Sequence, residues 1–172
     1  MPLIPSSDVA AAFVALQPAP GAVSENTASP ALSQLPLPPT PSTQRRLSAQ
    51  RRRDTAPEIA VRRELHRRGH RFYVDRAPLA GLRRRADLLF PRRKVAVYVD
   101  GCFWHCCPWH ATHPKRNADW WAAKLATNVA RDRDTDARLA AAGWITVRVW
   151  EHQHFVEAAD LVEQALRTSR SS

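Results

Sequence analysis

The chain has 172 residues, with 26 Lys plus Arg against 16 Asp plus Glu, 14 Pro, six Trp and three Cys, for a formal charge of +10. That length fits one domain plus a tail, and since no run of about 18 apolar residues occurs, nothing is expected to span a membrane. Three cysteines confined to positions 102–107 exclude a disulfide framework; set among histidines, they point to a metal site in a reducing compartment.

The charge is unevenly spread. Before Arg45 the only charged residues are Asp8 and Glu25, so residues 44–172 carry all 26 bases against 14 acids, or +12. With 23 Arg and 3 Lys, the bias favours forked contacts to phosphate, and nucleic acid is the first partner that such a domain suggests. The apolar patch Val9–Leu16 has no basic residue before it, so no secretory signal is expected and the protein reads as cytoplasmic.

Residues 1–43 hold nine of the 14 prolines and few charges. Such a segment buries too little surface to offset its ordering entropy, and a disordered tail is expected there, with the domain spanning 44–172. The first helix begins at Asp54-Thr55-Ala56-Pro57-Glu58, where Thr55 followed by Glu58 forms a capping box and Pro57 fits the first turn. Gly69 ends it. Arg71–Val74, Ala86–Phe90 and Lys94–Asp100 read as strands, the last with Val95, Val97 and Val99 alternating. A long helix follows over Asn117–Ala142, closed by Gly143, then a strand over Ile145–Trp150 and an amphipathic helix over Phe155–Arg167. The order predicts a three-strand meander and a fourth strand in a mixed sheet flanked by helices.

The segment from Cys102 to His113 places three thiols and three imidazoles within 12 residues. Zinc takes four such ligands in a tetrahedron. Cys102, Cys107 and His110 have suitable spacing, and His152, just past the last strand, would join them if that strand pairs with the third. Cys106 and His113 compete with Cys107 and His110.

Asp87 sits on the strand Ala86–Phe90, followed after a short turn by the strand ending Val99-Asp100. A hairpin delivers an acid and a second oxygen ligand to one magnesium ion, the arrangement that a sheet-based nuclease needs. Glu58 shares a helix face with Val61 and Leu65, so it projects toward the sheet, or serves only the cap. Phe103 and Trp104 beside the Cys/His cluster, and Trp120-Trp121 near Lys115 and Arg116, interleave aromatics with cations in the way that suits DNA stacking or wedging. Trp144 and Trp150 are expected in the core.

At Asp100-Gly101-Cys102-Phe103-Trp104-His105 the sequence resembles the very short patch repair endonucleases, which nick DNA at T:G mismatches. The resemblance continues through Arg53–Glu58, Ala86-Asp87-Leu88, Trp121–Leu125, Asn128, Arg131-Asp132-Arg133, Gly143-Trp144 and Val149-Trp150-Glu151, over about residues 45–152. It implies a restriction-endonuclease-like fold of the PD-(D/E)xK type and magnesium-dependent cleavage in a bacterial cytoplasm, at the nucleoid. Asp87 and the Val99 carbonyl would ligate magnesium, and His105, oriented by Glu58, would activate water. Phe103, Trp104 and Trp121 would intercalate, and Cys102, Cys107, His110 and His152 would hold a structural zinc. The expected partner is duplex DNA containing a T:G mismatch, bound by a monomer, with mismatch-repair proteins as further partners.

The sequence also departs from that family. Asp100 stands where a second active-site histidine is common, Val99 where a threonine is common, and Trp109 where a cysteine is often found, so that His110 must replace it. Asp100 is either a second magnesium carboxylate or an acceptor of main-chain N–H bonds at the Gly101 turn. Two other functions remain open at this level: a different nuclease of the same fold, and a zinc-stabilised DNA-binding module, which would not need Asp87.

Overall fold

A computed structural model describes Thr40, Ser42, Arg45, residues 53–112 and residues 114–169. The expected tail at 1–43 falls outside the described residues apart from Thr40 and Ser42.

Helix α1 (Ala56–Arg67) carries Val61 and Leu65, one turn apart on the buried face, together with Glu58 and Glu64. Strand β1 (Tyr73–Arg76) pairs antiparallel with β2 (Ala86–Phe90), from Tyr73↔Leu89 to Arg76↔Ala86. Pro91–Arg93 forms a single tight turn, and Lys94 in the left-handed region (φ 47°) reverses the chain into β3 (Val95–Asp100). Beyond it come α2 (Ala118–Ala141), β4 (Ile145–Trp150) and α3 (Phe155–Thr168). Gly143, at φ 73°, lets the chain leave α2.

The sheet order is β1-β2-β3-β4, with β4 parallel to β3 from Val95↔Ile145 to Asp100↔Trp150. A parallel pair needs a long crossover, which α2 supplies. Alternation along β3 divides the core. Val95 and Val97, with Leu88, Phe90 and Val149, pack against Val61 and Leu65 of α1 and Ala158, Ala159 and Val162 of α3. Ala96 and Tyr98, with Ala86 and Leu89, face Leu139 of α2 and the half-buried Trp144. Leu88 is fully buried, and its truncation to Ala would cost about 2–5 kcal/mol. Among the described residues no helix is long and apolar enough to cross a membrane.

Two local expectations need correction. The first strand lies two residues later than Arg71–Val74, because its ladder with β2 starts only at Tyr73 and extends to Arg76 past Asp75, a residue at φ 50° whose carboxylate binds Arg85. The capping box does not form. Thr55 is the N-cap without a side-chain cap bond; its hydroxyl donates instead to Glu58 Oε1 at 2.8 Å, while the Asp54 N–H and Arg62 donate to Glu58 Oε2 at 3.0 and 2.7 Å.

The parallel pairing matters most for function. It ends β3 and β4 side by side at Asp100 and Trp150, and the Glu151 N–H donates to the Asp100 carbonyl at 2.9 Å. Asp87 reaches the same end of the sheet from the start of β2, where its carboxylate accepts the Val99 N–H at 2.7 Å.

Candidate active site and metal centre

Asp87 is the acid around which the site forms. Burial pushes its carboxyl up to about 7; the Val99 N–H opposes that rise, while the charges of Glu58 and Asp100 add to it. A carboxylate lifted this far by desolvation, with further acids beside it, is a candidate functional group. Glu58 itself is 4% exposed, and its two oxygens are held by Asp54, Thr55 and Arg62, so it does not orient His105 as expected; Asp132 takes that place.

His105 belongs to the loop after β3, which is shaped by main-chain bonds from His105 N–H to Gly101 O and from Cys107 N–H to Cys102 O. Its Nδ1 donates to Asp132 Oδ2 of α2 at 2.5 Å and lies 3.6 Å from Asp100 Oδ1. Burial disfavours the imidazolium, yet the Asp132 bond and the Asp100 charge outweigh it and raise the His105 pKa. Asp100 does not lie open. Both its oxygens accept from Arg148 Nη1, at 3.0 and 2.8 Å, and burial lifts its carboxyl above the usual range even so.

Asp132 and Arg148 carry no assigned role in the sequence reading. Asp132 lies in an Arg-Asp-Arg-Asp run that reads as a solvated helix face, and Arg148 is one cation in an otherwise ordinary strand. The usable signal was alternation: Arg148 shares a sheet face with Thr146 and Trp150, opposite Val147 and Val149.

The aromatic residues form one cluster. Phe103 lies 5.1 Å from Trp104 and 5.2 Å from Trp121 between ring centroids, both edge-to-face, and Trp120 packs edge-on against Trp121 at 4.9 Å. Trp121 is buried beneath, while Phe103 and Trp104 are half-buried. Asn128 of α2 fixes the loop by donating to the Trp104 carbonyl at 3.2 Å, and Arg131 in turn holds the Asn128 oxygen at 2.7 Å. Lys115 and Arg116 are exposed just before α2.

Cys102, Cys107, His110 and His152 meet in a second cluster, with their donor atoms all within 4.8 Å of one another. Cys102 Sγ is 3.0 Å from His152 Nδ1, and Cys107 Sγ is 3.7 and 3.8 Å from His110 Nδ1 and His152 Nδ1. Ligands about 2.3 Å (S) and 2.1 Å (N) from one tetrahedral ion stand roughly 3.5 Å apart, so the set is suited to hold a metal. Burial and the neighbouring Cys107 push the Cys102 thiol up to about 11. Cys106 is not part of this group; it turns the loop in the left-handed region (φ 54°). His113 lies outside the described residues. Glu151, just before His152, accepts the Cys102 N–H at 2.7 Å.

The family model for the DNA mismatch endonuclease Vsr matches residues 40–111. The chain is 41% identical over 133 residues to the type II nicking enzyme V.NaeI of Lentzea aerocolonigenes, covering 76% of this chain and 80% of that one. This chain belongs to the Vsr endonuclease family. It is also 40% identical to the type II nicking enzyme V.XorIIP of Xanthomonas oryzae pv. oryzae over 119 residues, or 62% of this chain and 83% of that one. To the DNA mismatch endonuclease Vsr of Escherichia coli it is 34% identical over 102 residues, 58% of this chain and 62% of that protein. Vsr membership makes the protein a DNA endonuclease.

Proposed function

We propose that this endonuclease hydrolyses one strand of duplex DNA beside a T:G mispair, with magnesium at Asp87 and structural zinc in the Cys/His cluster. The observation that carries the reading is Asp87, a half-buried carboxylate that accepts the Val99 N–H at 2.7 Å and is raised to about 7 by desolvation and by the nearby acids Glu58 and Asp100. Such a group suits a hard divalent cation, and the oxygen donors Asp87 and the Val99 carbonyl match magnesium's preference. When bound, magnesium would neutralise the scissile phosphate and favour ionisation of water.

His105 takes the proton from the attacking water at Nε2, because Nδ1 is committed to Asp132. Glu58 keeps the start of α1 fixed against the site through Asp54, Thr55 and Arg62. Asp100 belongs to the polar set around His105 rather than to the metal, since Arg148 takes both its oxygens. Phe103 and Trp104, supported by Trp121, enter the stack at the mispair, where unstacking is cheapest. Lys115 and Arg116 contact the phosphates. Held by Cys102, Cys107, His110 and His152, zinc would join the loop after β3 to the residues following β4.

A preference for mismatched over paired DNA also has support in the Escherichia coli relative, a DNA mismatch endonuclease. The test is to incubate the protein and magnesium with labelled duplexes that differ only in one T:G or T:A pair. Nicking of one strand of the T:G duplex is expected. Equal cutting of the paired duplex rejects mismatch specificity in favour of a general nuclease, and no cutting of either leaves a DNA-binding module.

A further inference from the structure

Arg148 and Asp100 lie on neighbouring parallel strands, Arg148 opposite Tyr98 and Asp100 opposite Trp150. The Arg148 guanidinium rests over the Tyr98 ring, 4.9 Å from its centroid. Each of its nitrogens meets a different carboxylate. Nη1 donates to Asp100, Nε to Asp136 Oδ2 at 3.0 Å, and Nη2 lies 3.4 Å from both Asp132 Oδ1 and the Asp132 carbonyl. The other oxygen of Asp132 is the partner of His105 Nδ1 at 2.5 Å, and Asp100 Oδ1 stands 3.6 Å from that same nitrogen. Two carboxylates therefore compete for one imidazole N–H, and Arg148 touches both.

We propose that Arg148 is a positioning residue for strand cleavage: by claiming Asp100 it leaves His105 Nδ1 to Asp132, which fixes the direction of the imidazole. The inference rests on the reading of His105 as the proton acceptor. A half-buried guanidinium held among acids adds little net stability over an apolar side chain of similar size, so its presence on this sheet face calls for another reason. Only a planar fork can hold three acids at once; a lysine ammonium is a single point of charge and would hold Asp100 or Asp132 but not both. Without Arg148, Asp100 would be a buried carboxylate whose nearest cation is His105, and the ring would turn toward it.

The test uses the full chain and the duplex that it cuts fastest, in single turnover at saturating DNA. Arg148→Met should slow cleavage by about tenfold or more, the scale for losing a group that orients a catalytic ligand, with DNA affinity within about twofold of wild type. The double variant Arg148→Met/Asp100→Asn should recover most of the lost rate, because the competing charge is gone. In nitrogen-edited proton spectra, the downfield Nδ1 proton of His105 should shift in Arg148→Met, as its acceptor changes from Asp132 to Asp100, and return to its wild-type position in the double variant. A purely structural role would change none of these in that pattern. Wild-type rate in Arg148→Met, or a double variant slower than the single, overturns the proposal. If Arg148→Met does not fold, Arg148→Lys is measured instead, and full wild-type rate there overturns it equally. If His105→Ala cuts as fast as wild type, the proton-acceptor reading fails, and the Nδ1 proton signal alone decides whether Arg148 sets the ring.

Discussion

The Cys/His cluster takes three of its four donors from the stretch Cys102 to His110 and only His152 from a distant segment. The acidic cluster, a few residues away, collects Glu58 from α1, Asp87 from β2, Asp100 from β3, Asp132 from α2 and Arg148 from β4, with His105 between them. The proposed metal centre, built mostly within one loop, depends on local spacing. The proposed proton-transfer site, built across five elements, depends on the sheet register, so it exists only once β3 and β4 have paired. The first should fail when its metal is removed, and the second when a single charge is removed.

The largest expected effect separates them outright. Asp87→Asn should reduce cleavage on the order of 10³-fold, the scale for losing a group that stabilises the transition state, while zinc content stays at the wild-type level. Stability should move the other way. Because the folded Asp87 carboxyl titrates at about 7 against 3.8 for an ordinary aspartate, its ionisation works against the fold as pH rises through that window. In chelator-treated protein, Asp87→Asn should melt above wild type at pH 8, with the gap closing as pH falls below 4.

Next in size, His105→Ala should lose roughly 10²–10⁴-fold in single-turnover cleavage. The acid limb of the wild-type rate profile should lie above pH 6.5, since His105 is raised above that value and must be neutral to accept a proton. Asp132→Asn should move that limb downward.

The metal centre is probed by its thiols. Zinc in a small cluster of this kind contributes about 10 kcal/mol or more of apparent binding energy. Cys107→Ser should therefore lose zinc and lower the melting temperature, whereas Cys106→Ser, outside the cluster, should keep both. Loss of zinc from Cys106→Ser by elemental analysis would mean that the donor set differs from Cys102, Cys107, His110 and His152.

How far the two regions were legible in the sequence follows from the same contrast. Valine alternation and the glycine after Ala142 place β3, β4 and α2 to within a residue or so, and the density of Cys and His points to the four donors directly. Arg148 and Asp132 were illegible because their meaning lies in partners 48 and 27 positions away, Asp100 and His105. Glu58 follows the capping-box spacing, yet its carboxylate goes to Asp54, Thr55 and Arg62, since a charge-assisted i,i+4 pair with Arg62 on the same helix outcompetes a lone cap bond.

Smaller effects sharpen the boundary of the acidic cluster. Trp104→Ala should weaken binding to mismatched duplex by about 1–3 kcal/mol, the scale of one base–aromatic stack, with less change on paired duplex. Equal losses on both would make Trp104 a packing residue. The smallest effect is expected at Glu64, which lies in neither cluster. Hydrogen bonds from Arg67 and Arg68 hold its carboxyl down to about 2 from 4.5. Its contribution to stability is thus present above pH 4.5 and lost as pH falls toward 2. Glu64→Gln should melt slightly below wild type at pH 6 and level with it near pH 2, with zinc content and cleavage unchanged.

The division of labour between the two clusters is tested most directly by quantifying zinc and strand nicking in the same metal-defined preparation. Protein carrying one zinc per chain, stripped of magnesium, should leave the T:G duplex intact and begin to nick it as magnesium is added, with no change in zinc content. Nicking by the zinc-loaded, magnesium-free protein would contradict the account, as would cleavage that rises with zinc and ignores magnesium.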